Sequence, residues 1–334
     1  STLMRSSAAS DVYKRQAKLK DAYLGIGVKQ ETLLKLFEQH NSEFAKKVGH
    51  SRAQGTFQRY KTVYKHLCEF LPYTYKRNDI PLKELNLSFI NDFEYFLRTE
   101  KKCRTNTIWG YMIVLKHIVS IARNDGRLPF NPFARYINSP ESVDRGYVTK
   151  EEIHTIMNTK MPDKTHELVR DLFLFSTFTG LAYSDVKNLT EDNLQTFFDG
   201  NLWITTRRKK TNTESNIRLL DVPKCIIEKY KGMTRDNKVF PMPSNTTCNK
   251  ILKTIAKLCG IKTHLTYHVA RHSAATTILL SNGVPIETVS RLLGHTNIKT
   301  TQIYAKITAQ KISQDLEQLS DKLGDMEKSI CSAI

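Results

Sequence analysis

His268, Arg271, His295 and Tyr304 stand in one order near the end of the chain. They lie within Tyr267–His268–Val269–Ala270–Arg271–His272 and Leu293–Gly294–His295, with the tyrosine nine positions further on. Arginine presents a planar fork of donors that fits two phosphate oxygens. Imidazole moves protons near neutral pH or donates to a charged oxygen. Tyrosine forms covalent intermediates when its neighbours help remove its proton. Together these types suit a tyrosine nucleophile attacking a DNA phosphate. His-x-x-Arg alone is cheap: with 10 His and 18 Arg in 334 residues, chance supplies roughly half a match. The surroundings add the specificity. His295 follows His268 by 27 residues, Gly294 precedes it, and Thr300–Thr301 precede the tyrosine.

This constellation resembles the tyrosine recombinases of the phage integrase family, and the resemblance covers most of the chain. It implies that Tyr304 attacks and becomes joined to a 3′-phosphate. Arg271 and His295 would hold the nonbridging oxygens, and His268 would be the tyrosine's proton-transfer partner. The family also places a lysine on a hairpin, where it protonates the leaving 5′-oxygen. The run Trp203–Ile204–Thr205–Thr206–Arg207–Arg208–Lys209–Lys210–Thr211 offers Lys210, with Lys209 as the alternative.

One position departs from the pattern. The family reads Thr-Gly-Leu-Arg after an apolar helix, and that arginine is the second phosphate clamp. Here the segment is Thr179–Gly180–Leu181–Ala182–Tyr183–Ser184–Asp185. Ala182 cannot contact a phosphate, Asp185 keeps the acidic position, and Ser184 reads as a helix N-cap. The variant resembles integrases of conjugative transposons of the Bacteroides group. Side chains alternate faces along a strand, so Arg208 shares the face of Lys210 and is expected to replace the clamp. Arg207 points the other way and is the weaker candidate. His272 reads as a structural histidine, as does His264.

The elements that must position these residues are mainly helical, with one small antiparallel sheet. Thr32–Phe37 opens a helix, and Thr56–Leu71 carries Tyr60, Val63, Tyr64, Leu67 and Phe70 at helical spacing. A third helix starts at Leu87–Phe93 with Ser88 as N-cap. A fourth runs Thr105–Arg123, apolar at Ile108, Met112, Leu115, Ile118 and Ile121. This makes a helical bundle, and its position resembles the family's core-binding domain. Pro129, Pro132 and Pro140 mark the boundary. Beyond it, Thr149–Glu152 has capping-box spacing and Thr165–Thr179 is an apolar helix stopped by Gly180. Strands are expected at Gln195–Phe198, Leu202–Thr206 and Asn216–Leu220. Helices follow from Pro223, over Ser244–Cys259, over His268–Ser281 and over Ile298–Ile307. That mixed α/β layout is the one the resemblance implies for a catalytic domain.

The segments then read as follows: 1–16 a non-native or disordered start, 17–138 a helical core DNA-binding domain, 139–147 a linker, 148–309 the catalytic domain, and 310–334 a C-terminal helix. That last helix carries Ile312, Leu316, Leu319, Leu323, Met326 and Ile330 at steps of four and three, an apolar stripe that needs cover. The resemblance implies docking on a neighbouring protomer of a tetramer; packing on its own domain is the alternative.

Charge agrees with a polyanionic partner. The chain holds 51 basic and 33 acidic residues, a net +18. Up to Val143 there are 24 basic against 13 acidic residues, and beyond it 27 against 20, so both parts can grip phosphate. Candidate contacts are Arg52, Arg59, Lys61 and Lys65 on one helix, and Lys101, Lys102, Arg104, Thr105 and Asn106 at the start of another. Arg207 and Lys209 join them on the hairpin. Six scattered cysteines without a C-x-x-C pair exclude a zinc-ligand pattern and fit a bacterial cytoplasm. No metal or cofactor is expected, because no acidic cluster of the magnesium-nuclease kind is visible. No run is long enough for a membrane span.

These readings converge on an integrase that cuts and rejoins double-stranded DNA at attachment sites through a Holliday junction. It would act as a homo-tetramer, assisted by host or element-encoded DNA-bending factors. A type IB topoisomerase with the same chemistry is the first alternative. An accessory DNA-binding protein, weakened by loss of the motif arginine, is the second.

Overall fold

The computed structural model describes residues 31–143, 145–208, 213–234, 236–304 and 309–332. The chain divides into two units, Ser1–Val143 and Asp144–Ile334.

The described part of the first unit is built on α1 (Leu33–Lys47), α2 (Gln54–Phe70), α3 (Leu87–Thr99) and α4 (Thr105–Asn124). In α2, Tyr60, Val63, Leu67 and Phe70 fall on one face and are buried, with Tyr64 half-buried beside them. Ile108, Met112, Leu115 and Ile118 do the same in α4. Phe70 centres the core, its ring 5.2–5.5 Å from those of Phe89, Phe93 and Phe96. The chain then continues as one π-turn, Leu71–Tyr75, where Pro72 has no N–H to give the regular ladder. The cap of α3 is not Ser88. Asn86 holds that place, its side chain accepting from the Phe89 N–H at 2.9 Å. Ser88 lies inside the helix and reaches Asp92 at 3.4 Å instead.

In the second unit, α5 (Lys150–Asn158) begins with the expected capping box. Thr149 Oγ1 accepts from the Glu152 N–H, and the Glu152 carboxylate accepts from the Thr149 N–H. Helix α6 (Lys164–Thr179) starts a residue before the apolar pattern, because Asp163 accepts from Thr165 N and His166 N. It ends at Gly180, whose φ of 72° favours glycine. A Cβ there would also lie 2.7 Å from Leu293 Cδ2. Helix α7 (Tyr183–Asn188) has Ala182 at its N-cap, so Ser184 is not the cap; its hydroxyl donates to Asp185 Oδ1 at 3.2 Å.

Strands β1 (Leu194–Thr196), β2 (Leu202–Arg207) and β3 (Glu214–Arg218) form an antiparallel sheet in the order β1-β2-β3. Arg207 pairs with Glu214 and Trp203 with Arg218. The third strand therefore runs earlier than the sequence pattern indicates. Leu220 is taken as N-cap of α8 (Asp221–Tyr230). Then come α9 (Asn245–Leu258), α10 (Tyr267–Ser273), a π-turn at Ala274–Leu279 and a short 3-10 turn at Leu280–Asn282. The expected helix over His268–Ser281 is thus one continuous helical run whose hydrogen-bond register changes twice. Helices α11 (Ile286–Leu292), α12 (Lys299–Gln302) and α13 (Ala309–Cys331) close the chain. On α13 the side chains of Leu316, Leu319, Leu323, Met326 and Ile330 are exposed; that of Ile312 lies outside the described set.

Candidate active site

Helix α10 is the platform, and it is fixed at both ends. At the first, Tyr267 is fully buried: its hydroxyl donates to Leu172 O at 3.1 Å and accepts from Ser176 Oγ at 2.8 Å. Its N–H donates to Asn249 Oδ1 at 2.8 Å. At the other end, Ser273 Oγ accepts from the Val148 N–H at 2.9 Å and Thr277 Oγ1 donates to Val148 O at 2.6 Å. Such buried, satisfied polar groups fix a helix more firmly than apolar packing alone.

Arg271 projects from this platform into the protein and is 3% exposed. Its Nη1 donates to Gly180 O at 2.7 Å, and its Nη2 donates to Leu293 O and to His295 Nε2, the latter at 3.1 Å. A guanidinium has five N–H donors, so donors remain for an incoming anion. Since arginine cannot accept, His295 Nε2 must be the acceptor. Its Nδ1 then carries the proton and donates to Thr301 Oγ1 at 2.8 Å. Burial and the nearby Arg271 and Arg208 push the His295 pKa down to about 4, leaving a neutral ring at pH 7. Burial, with repulsion from Arg208, brings Arg271 down to about 10; it stays charged.

Arg208 enters from the hairpin. Its N–H donates to Thr213 O at 2.9 Å just past the end of β2, and its side chain is only 12% exposed. Nε lies 3.7 Å from Asp185 Oδ2 on the first turn of α7, and Nη1 donates to Gly294 O at 3.3 Å. Gly294 makes the slot: a Cβ there would lie 2.6 Å from Arg208 Cδ, and φ is +60°. Arg207, by contrast, is exposed. The expected face difference between the two arginines is therefore present. Lys210, Lys209 and Thr211 lie outside the described residues.

Tyr304 follows the four-residue helix α12, so the longer helix expected there over Ile298–Ile307 is not what holds it. Its N–H donates to Thr301 O at 2.9 Å. Its ring stacks near that of His295, centroids 6.2 Å apart and planes at 19°, and meets that of His272 edge-on at 4.7 Å and 86°. Burial raises the phenol pKa, while Arg271, Arg208 and Arg145 pull it back. At neutral pH the hydroxyl keeps its proton until something takes it. His268 is exposed on the first turn of α10, its ring 4.6 Å from that of His272. His272 is thus no remote structural histidine. The signal was available, since it stands one helical turn after His268. Thr301 and Arg145 are the other residues that sequence reasoning did not assign to the site.

The candidate DNA contacts of the first unit divide by environment. Arg52, Arg59, Lys61 and Lys65 are exposed, but Arg52 precedes α2 rather than lying on it. Lys102 and Arg104 are exposed as well, while Thr105 is half-buried. Lys65 lies 4.0 Å from Glu69, and two further candidates are held more closely. Lys101 pairs with Glu69 at 2.7 Å. Asn106 holds the backbone of Glu141 through both ends of its amide, at 2.8 and 3.0 Å, which corrects its reading as a phosphate contact.

Residues 146–311 match the Phage integrase family, and residues 32–139 match the Phage integrase SAM-like domain. A tyrosine recombinase XerA of Thermococcus onnurineus is 30% identical over 57% of this chain and 67% of its own length. A tyrosine recombinase XerD of Listeria innocua is 48% identical over 74% of this chain and 83% of its own. Across four XerA proteins the matched stretch is 60–68% of their length. Among solved structures, a lambda integrase tetramer bound to a Holliday junction superposes with a TM-score of 0.66, covering 84% of this chain and 80% of that one at 18% identity. The Tn1549 transposon integrase with transposon right end DNA gives 0.65, covering 87% and 100% at 17% identity. The fold is shared with both.

Proposed function

Because this chain belongs to the phage integrase family of tyrosine recombinases, we propose that it is a site-specific DNA recombinase that cuts and rejoins strands through Tyr304. The charge of its site carries this reading. Two largely buried guanidiniums, Arg271 and Arg208, feel each other's charge near the tyrosine ring, and Arg208 lies 3.7 Å from the Asp185 carboxylate. Like charges held together in a low-dielectric site repel, and a phosphodiester anion between them relieves that repulsion. Fixed donors aimed at developing negative charge are the main source of catalysis in such chemistry.

In the cleavage step the Tyr304 oxygen bonds to phosphorus and the bond from phosphorus to the 5′-oxygen breaks. The phenol proton passes to His268, and Lys210 gives the leaving oxygen its proton. Arg271 and Arg208 clamp the nonbridging oxygens, with Arg208 in the place of the missing motif arginine. A bound phosphate raises the pKa of His295, which then protonates and donates as well. Reversal of these transfers rejoins the strand. Exchange through a Holliday junction needs four such sites, and the exposed stripe of α13 supports its exchange between protomers of a tetramer. Segments 17–138 and 148–309 act as core-binding and catalytic domains, joined by 139–147. The kinship with the Tn1549 integrase fold supports a role in mobilising a transposon or phage.

The test is incubation with a nicked duplex carrying the element's end sequence, followed by denaturing electrophoresis. A covalent protein–DNA adduct is expected from the native chain. Tyr304→Phe, which lacks only the attacking oxygen, should bind the duplex and form none. An adduct from Tyr304→Phe would sink the assignment.

A further inference from the structure

Among the described residues, few backbone ties aim the Tyr304 ring. The residue lies in a turn two positions past a four-residue helix, where its N–H donates to Thr301 O at 2.9 Å. Its direction has to come from what the ring touches. Two imidazoles stand against it: His295 nearly parallel at 6.2 Å and His272 perpendicular at 4.7 Å. The second contact is the closer, and it is itself backed. One turn earlier on the same helix, His268 meets His272 edge-on at 4.6 Å and 71°. Three rings thus run in sequence from the exposed His268, through the half-buried His272, to the nucleophile.

We propose that His272 is a positioning residue for Tyr304, a ring-shaped shelf that sets the direction of the phenol and acts by shape rather than by carrying a proton. The geometry favours shape. Perpendicular rings at this separation are the edge-to-face arrangement that aromatic pairs adopt. The adjacent Arg271 anchors this helix position from the buried side, through Gly180 O and Leu293 O. The shelf therefore stands on the same rigid turn as the phosphate clamp. Ring and phosphate are registered to each other by one residue step. The inference rests on Tyr304 being the nucleophile.

The test compares His272→Ala and His272→Phe in the full chain. At saturating nicked duplex, His272→Ala should slow adduct formation by about 10- to 100-fold, the scale of a misaimed reacting group, with DNA affinity unchanged. His272→Phe restores a ring that cannot titrate and should recover most of that rate, with the same pH profile as the native chain. A second readout needs no DNA. With fluorotyrosine incorporated throughout, the resonance of Tyr304 is identified by its loss in Tyr304→Phe. That resonance should move towards the free-tyrosine position in His272→Ala and return in His272→Phe. His272→Phe as slow as His272→Ala, or an unmoved resonance in His272→Ala, overturns the shelf. A native chain that binds DNA without any adduct, yet shows the expected resonance shifts, refutes the nucleophile and leaves the ring contact standing.

Discussion

Positive charge is used in opposite ways in the two units. In the first, Arg52, Arg59, Lys61 and Lys65 are exposed, and salt screens their charge. In the second, Arg271 and Arg208 are held inside the protein by backbone carbonyls and one carboxylate. The exposed cations suit adherence to a polyanion of any sequence, because released counterions reward each neutralised phosphate. The buried pair suits one phosphate in one pose, because a further anion placed between the two relieves the repulsion that Asp185 leaves. The difference teaches that, under the proposed function, exposed charge would find the DNA and buried charge would select the bond.

The sharpest way to break this contrast is to remove Arg208, the buried member proposed to replace the motif arginine. Arg208→Ala should lower the rate of adduct formation at saturating DNA by about 10²-fold or more, the scale of one transition-state donor. Arg208→Lys should rescue only partly, since an ammonium keeps the charge and loses the fork. Arg207→Ala, altering an exposed neighbour, should do far less. Equal rates for Arg207→Ala and Arg208→Ala would remove the hairpin from the clamp.

A smaller effect lies in the pH dependence of stability. The His295 pKa is about 4 in the folded chain against an ordinary 6.5. Between those values the unfolded chain binds the extra proton, so stability should fall as pH drops through that window. His295→Gln should lose this part of the slope, measured as urea midpoints from pH 7 to 4. An unchanged slope would mean that the imidazole is not held neutral by the two arginines and its burial.

The smallest effects belong to the exposed cations. Arg59→Ala and Lys61→Ala should each weaken binding and reduce the log–log salt slope by about 0.9, the value for one phosphate contact. Neither should change the adduct rate once DNA saturates. Lys101→Ala should change the slope less, since Glu69 already neutralises that lysine. A loss of cleavage rate in Arg59→Ala at saturation would erase the division between finding and cutting.

What was legible in the sequence was whatever local spacing controls. The helices of the first unit follow from apolar residues at steps of three and four, and the box at Thr149 and Glu152 from two residue types at one interval. The site residues Arg271, His295 and Tyr304 came together as their order implied. Caps were harder. Ser88 and Ser184 have the right chemistry, but the turns place Asn86 and Ala182 at the boundaries. Side-chain type alone cannot say where a chain enters a helix. His272 escaped for another reason. Its neighbour across the fold, Tyr304, is 32 positions away, and no local pattern records an edge-to-face ring contact. Asn106 was misread because its partner, Glu141, is likewise distant in sequence.

Gly294 carries a consequence for descent. The arginine that lines the site from the hairpin passes through the space that a methyl group at 294 would fill. The two positions therefore constrain each other's mutations, although 86 residues separate them. If Arg208 stands in for an arginine at the start of α7, it can do so only while position 294 stays bare. Selection for recombination in a Gly294→Ala background should consequently favour variants that carry an arginine at 182.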